Sequence, residues 1–173
     1  MTTFREPVEA DWVEIGRLAD AAVQHIPGAP RQGTWVANRK TFSGLRRHLV
    51  LEGEGQIVGY GAIELNATSV EARLFLVLAW RQPESVAIAS ALYERLRAEA
   101  ATMKIGDVWM REFAADAPFI DFLIAHGFQV RRKYELDGMG IVELARKRFA
   151  TPNERRQRWH RLLRSFQARA RAR

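Results

Sequence analysis

LFLVLAW (Leu74–Trp80), RQPESVAIAS (Arg81–Ser90), ALYERLRAEAATMKIG (Ala91–Gly106) and DVWMREFAADAPFIDFLIAHGF (Asp107–Phe128) make up the stretch around which the chain is organised. Leu74–Trp80 is an apolar run of strand length that lacks the polar alternation of a half-solvated face, so it reads as a central buried strand. Pro83 announces a helix in which Val86, Ala89, Tyr93, Leu96, Ala100 and Met103 recur at spacings of three and four, until Gly106 stops it. Asp107–Phe113 is a second strand. Asp116 is placed to cap a short helix holding Pro118, Phe119, Phe122 and Leu123, which Gly127 ends. Strand, helix, strand, helix is a crossover unit: it makes the two strands parallel and aims a helix N-terminus at the end of the first.

That geometry has chemical content. The first amides of a helix lack intrahelical partners and carry partial positive charge, so they attract phosphates and other anions. Ser85, Ala87, Ala89 and Ser90 are small enough to let a ligand reach this backbone. A helix that simply packs on a sheet uses small residues equally well.

The stretch resembles the core of the GNAT acyltransferase superfamily, which binds acetyl-CoA at a strand–loop–helix with a Gln/Arg-x-x-Gly-x-Gly/Ala signature. Aligned on AIASALY (Ala87–Tyr93), the signature falls on Glu84–Ala89. Glu84 replaces the Gln or Arg, Ala87 replaces the first Gly, and Ala89 is a permitted Ala. FIDFLIAHGF (Phe119–Phe128) is similar to the family's closing helix and Gly-Phe. Leu123 stands where many members carry a Tyr that protonates the leaving thiolate, and Asp116 where many carry an Asn that touches the cofactor. REPVEADWVEIGRLADAAV (Arg5–Val23) is similar to the family's opening strand and first helix.

The resemblance implies an α/β fold: a mixed, mostly antiparallel sheet with a central parallel pair, flanked by helices. It implies acetyl-CoA as co-substrate and direct transfer of the acetyl group to an amine on a small molecule or peptide. The clamp would be the amides around Glu84, Ser85, Val86, Ala87, Ile88, Ala89 and Ser90, with Asp116 nearby. A strand amide near Val77 or Ala79 would hold the thioester oxygen. The base must lie near the cleft, which leaves Glu64, Glu71 and Glu112, at or beside strand ends. Each is as readily an exposed salt-bridging residue. Tyr134 is a candidate proton donor in place of the missing Tyr, although a strand Tyr usually packs. His25, just ahead of the breaker-rich loop Ile26–Gly33, is a weaker candidate for a substrate contact.

At 173 residues the chain suffices for one core, and 47% hydrophobic content is that of a globular protein. No apolar run spans a bilayer and the first residues lack an apolar export signal, so a cytoplasmic location is expected. Without cysteine there is no disulfide, thiolate nucleophile or thiolate zinc site. Histidines 25, 48, 126 and 160 show no ligand spacing, so no metal is expected. Neither a G-x-S-x-G elbow nor a Walker-type phosphate loop occurs.

Around this core, Thr2–Arg5 reads as a strand and Trp12, Ile15, Leu18, Ala19 and Ala22 as a helical stripe. Trp35–Arg46 is expected to be a second helix. His48–Glu52 and Gln56–Leu65 form a hairpin about Gly53–Gly55, and Phe128–Asp137 with Gly140–Arg146 a second about Asp137-Gly138. Residues 1–148 are taken as the acyltransferase-like domain and 149–173 as a basic amphipathic helix. From Arg146 onward 11 basic residues and one acid give +10, while the remaining 16 basic and 19 acidic residues give −3. In the tail Trp159, Leu162, Leu163 and Phe166 share one helical face among arginines. Docking on the domain or in a homodimer, nucleic-acid binding through Arg155–Arg173 and adsorption to an anionic membrane compete for it. A GNAT-like module that binds or regulates without catalysis, associated with nucleic acid through this tail, is the alternative to an enzyme, and Glu84 is its main support.

Overall fold

The computed structural model describes residues 2–38, 44–65, 71–79, 84–147 and 149. The elements are β1 (Thr2–Arg5), α1 (Asp11–Val23), α2 (Gly33–Ala37), β2 (Leu45–Gly53), β3 (Gln56–Leu65), β4 (Ala72–Leu78), α3 (Ser85–Thr102), β5 (Val108–Phe113), α4 (Ala117–Ala125), β6 (Gln129–Leu136) and β7 (Met139–Arg146). Seven strands form one sheet in the order β1-β2-β3-β4-β5-β7-β6. Every neighbouring pair is antiparallel except β4 and β5, which are parallel.

Strand alternation sorts the core onto two faces. Leu49, Leu51, Ile63, Leu74, Leu76 and Leu78 meet Leu92, Tyr93 and Leu96 of α3 and Phe119, Phe122 and Leu123 of α4. Val50, Tyr60, Ala62 and Phe75 meet Trp12, Ile15 and Ala19 of α1 on the other. Gly59 and Gly61 set the depth of α3 on the sheet. A Cβ on Gly59 would fall 2.5 Å from Leu92 Cδ1, and one on Gly61 2.8 Å from Leu96 Cδ1. Both tight turns take left-handed pairs: Glu54 (φ 52) with Gly55 (φ 78), and Asp137 (φ 51) with Gly138 (φ 75). Two successive positive φ values give the twist that a two-residue hairpin needs.

The crossover reads as expected, with two shifts. β4 starts at Ala72, so it includes Arg73, and ends at Leu78; Trp80 lies outside the described residues. The helix expected over Trp35–Arg46 is a correction: α2 covers Gly33–Ala37, and Leu45 and Arg46 open β2. Leu45, Arg46 and Arg47 pair with Leu65, Glu64 and Ile63, and these ladder bonds override a weak local helical pattern. Residues 150–173, with the expected tail helix, lie outside the described residues. Phe149, assigned above to the tail, is wholly buried beside Tyr93 and Phe128, with ring centroids 5.6 and 6.4 Å away, and its amide donates to the Gly106 carbonyl. Among the described residues no helix is long and apolar enough to cross a membrane.

Candidate active site in the split of the sheet

β4 and β5 pair only at Ala72↔Val108 and Arg73↔Trp109. β4 then runs on to Leu78 and β5 to Phe113 with no ladder between them. The Ala72 amide donates to the Asp107 carbonyl at 3.1 Å, so even-numbered amides of β4 point toward β5. The amides of Leu76 and Leu78 therefore face the split. Val77 pairs with Tyr60 of β3, so near Val77 it is the amides of Leu76 and Leu78 that face the split. An amide that faces a cavity rather than a neighbouring strand is available to a ligand.

The split opens on a cavity of about 510 Å³. One wall is β4 from Arg73 to Leu78, and the other is Arg111, Glu112 and Phe113 of β5 with Asp116 and Phe119. Gly28, Pro30 and Gln32, between α1 and α2, and Val36 of α2 form a third side, and Asp137 and Met139 of the last hairpin close the fourth. α3 starts beside the end of β4, where Ser85 Oγ donates to the Ala79 carbonyl at 2.8 Å. Ala79 is thus a tether for the helix.

Two carboxylates share the cavity. Burial pushes Glu112 well above the ordinary carboxylate range; the charge of Asp116 adds to this and the guanidinium of Arg73 opposes it. Burial also raises Asp116, against the pull of His25 and the Phe119 amide. Arg73 lies over the Phe75 ring at 4.5 Å and near Trp109 at 5.1 Å. Arg111 lies 5.0 Å from the Trp109 ring, with its Nε 3.3 Å from Glu143. A carboxyl whose proton affinity is raised by burial inside a cleft is a candidate general base.

The other expected site residues are scattered. Glu64 is buried on β3, facing Arg46 and Arg73 in register, and does not line the cavity. Glu71 accepts from Arg131 at 2.7 Å in an exposed pair. Tyr134 sits on β6 beyond β7, its ring between Arg111 (5.9 Å) and Arg132 (5.0 Å), outside the lining. Leu123 is buried in the core. Of the clamp, Glu84, Val86 and Ala87 are exposed at the start of α3, Ser85 is buried, Ile88 and Ser90 are half-buried, and Ala89 packs in the core. The amides of Ser85, Val86 and Ala87 are the ones at the open helix end. Arg73, Arg111 and the amides of Leu76 and Leu78 were missed. Their only trace in sequence is a lone Arg inside a buried strand.

By sequence, no family model matches the chain, and neither does any curated protein. By structure it is similar to the ribosomal-protein-S18-alanine N-acetyltransferase of Escherichia coli (TM-score 0.63, 17% identity, covering 87% of this chain and 96% of that one). It is similar to the GNAT-family acetyltransferase of Streptococcus pneumoniae (TM-score 0.62, 14%, covering 85% and 99%). A Salmonella typhimurium protein assigned as an acetyltransferase and solved with its cofactor acetyl-CoA gives TM-score 0.65 at 17% identity, covering 85% and 94%. The fold is the GNAT fold. In this chain the split of the parallel pair holds the cavity and the two raised carboxylates, and α3 begins beside the end of β4 without lining that cavity. Among the described residues no three His, Asp or Glu side chains gather as metal ligands.

Proposed function

We propose that this GNAT-fold chain is an acetyl-CoA-dependent N-acetyltransferase that passes the acetyl group directly to an amine. The observation that carries this is the split itself: the ladder stops at Arg73, and the strands diverge around a cavity holding Glu112. Acetyl-CoA suits the residues present. Leu76 and Leu78 present amides to a carbonyl oxygen, and the first amides of α3 face outward toward an anion. When bound, the thioester supplies an activated acetyl group.

The chain's own residues supply the rest. An amine arrives as an ammonium and must lose a proton before it is a nucleophile. Glu112, whose burial raises its affinity for a proton, takes it when ionised. Phe75, Val77 and Phe113 line the approach and exclude water. Glu84 at the open helix end is exposed, so water and salt screen its charge and it does not bar an anion. That weakens the case for a binding module without catalysis.

The test is a thiol-release assay of the full-length protein with acetyl-CoA and a panel of primary amines. Glu112→Gln is expected to lower kcat/KM by about 100-fold or more on any amine the wild type accepts. Equal rates in both proteins would remove Glu112 from the chemistry, and no acetylation of any amine would favour the binding module.

A further inference from the structure

We propose that His25 is a positioning residue of this site: through Asp116 it ties the α1–α2 segment to the start of α4 and holds the charge that Glu112 faces. It deepens the acetyl-transfer reading and rests on it for the reaction served, but the contact itself does not need it. His25 Nε2 lies 3.5 Å from Asp116 Oδ1, with the two side chains only 14% and 10% exposed. A protonated imidazole makes this an ion pair poorly screened by solvent.

Two features set it apart from an incidental contact. Asp116 occupies the N-cap of α4, where the Phe119 amide pulls on its carboxylate, and His25 reaches the same carboxylate from just beyond α1, so the contact joins two elements. Secondly, the segment that His25 opens is a cavity wall tied at other points: the Gly33 amide donates to Asp20 Oδ1 at 2.7 Å, and Gly28 lies against Met139, whose Sδ would be 3.7 Å from a Cβ there. His25 is the near-end tie, and it is the one that reaches Asp116. Glu112 and Arg111 from β5, Arg73 from β4 and Asp137 from the last hairpin face the same cavity. An imidazolium favours the Asp116 anion, and that anion in turn makes Glu112 hold its proton to higher pH. His25 therefore acts on Glu112 at one remove.

The test is a carboxyl ¹³C NMR titration of the full-length protein without ligand, with Asp116→Asn used to assign the Asp116 signal. In His25→Gln the Asp116 titration is expected to move up by about one pH unit. The Ile26 and Ala29 amides, bonded to Val23 and Ile26, should exchange with solvent faster. His25→Lys returns a cation and should reverse the shift. An Asp116 signal that titrates alike in wild type and His25→Gln overturns the proposal, whatever the loop does. A shift that His25→Lys fails to reverse also overturns it, because the cause is then repacking. Neither readout uses acetyl-CoA or an amine, so failure here is distinct from failure of the acetyl-transfer reading.

Discussion

Glu112 shows the cost of a buried carboxyl in a folded protein. A carboxyl raised in the native state keeps a proton that the unfolded chain releases. Stability therefore falls as pH rises from the ordinary carboxylate range through the raised value. Each unit of displacement costs about 1.4 kcal/mol. Glu112→Gln should accordingly melt like the wild type near pH 4 and above it near pH 8, even as activity is lost; a melting difference that does not grow with pH would contradict the burial argument. Asp11 behaves oppositely. The Arg5 guanidinium, 2.5 Å away, holds it below the usual range, so its stabilising effect is present at neutral pH and lost on acidification. Sequence reasoning reached Glu112 only as one of three equal candidates. What separates it from Glu64 and Glu71 is whether the strand end opens on the split, a property of pairing that no local pattern encodes. Asp116 was legible as a helix cap, but its turn toward His25 depends on a contact across 91 positions of chain.

At the scale of elements, the sequence was most informative where periodicity was long. α3 and both hairpins fall within a few residues of expectation, because an apolar stripe of six residues and two Gly-bearing turns leave few alternatives. β2 was read short and preceded by a false helix, because its first residues owe their extension to partners on β3. The two glycines of β3 test the packing directly. Leu92 and Leu96 are fully buried and have nowhere to retreat from an added methyl. Gly59→Ala or Gly61→Ala should each cost about 1–3 kcal/mol, lowering the melting temperature by roughly 2–10 °C for a chain of this size. Unchanged melting in both would show that α3 rides higher on the sheet than the contacts require.

For the whole molecule, the charge distribution separates the basic C-terminal segment from a mildly acidic remainder. We propose that the apolar face at Trp159, Leu162, Leu163 and Phe166 docks on the domain or on a second copy. Deleting residues 151–173 should then lower the melting temperature or halve the mass measured by light scattering, whereas a nucleic-acid tail predicts neither, only loss of a strongly salt-dependent affinity. Beyond the end of β4, Ser85 in the first turn of α3 donates to the Ala79 carbonyl. Ala87 is exposed there, so a bulky side chain blocks the helix end without entering the core. Calorimetric titration of acetyl-CoA into wild type and Ala87→Trp should give one-to-one binding in the first and none in the second, with the two apo proteins melting alike. No binding heat from the wild type, or equal affinity in both proteins, would contradict a cofactor site in the split.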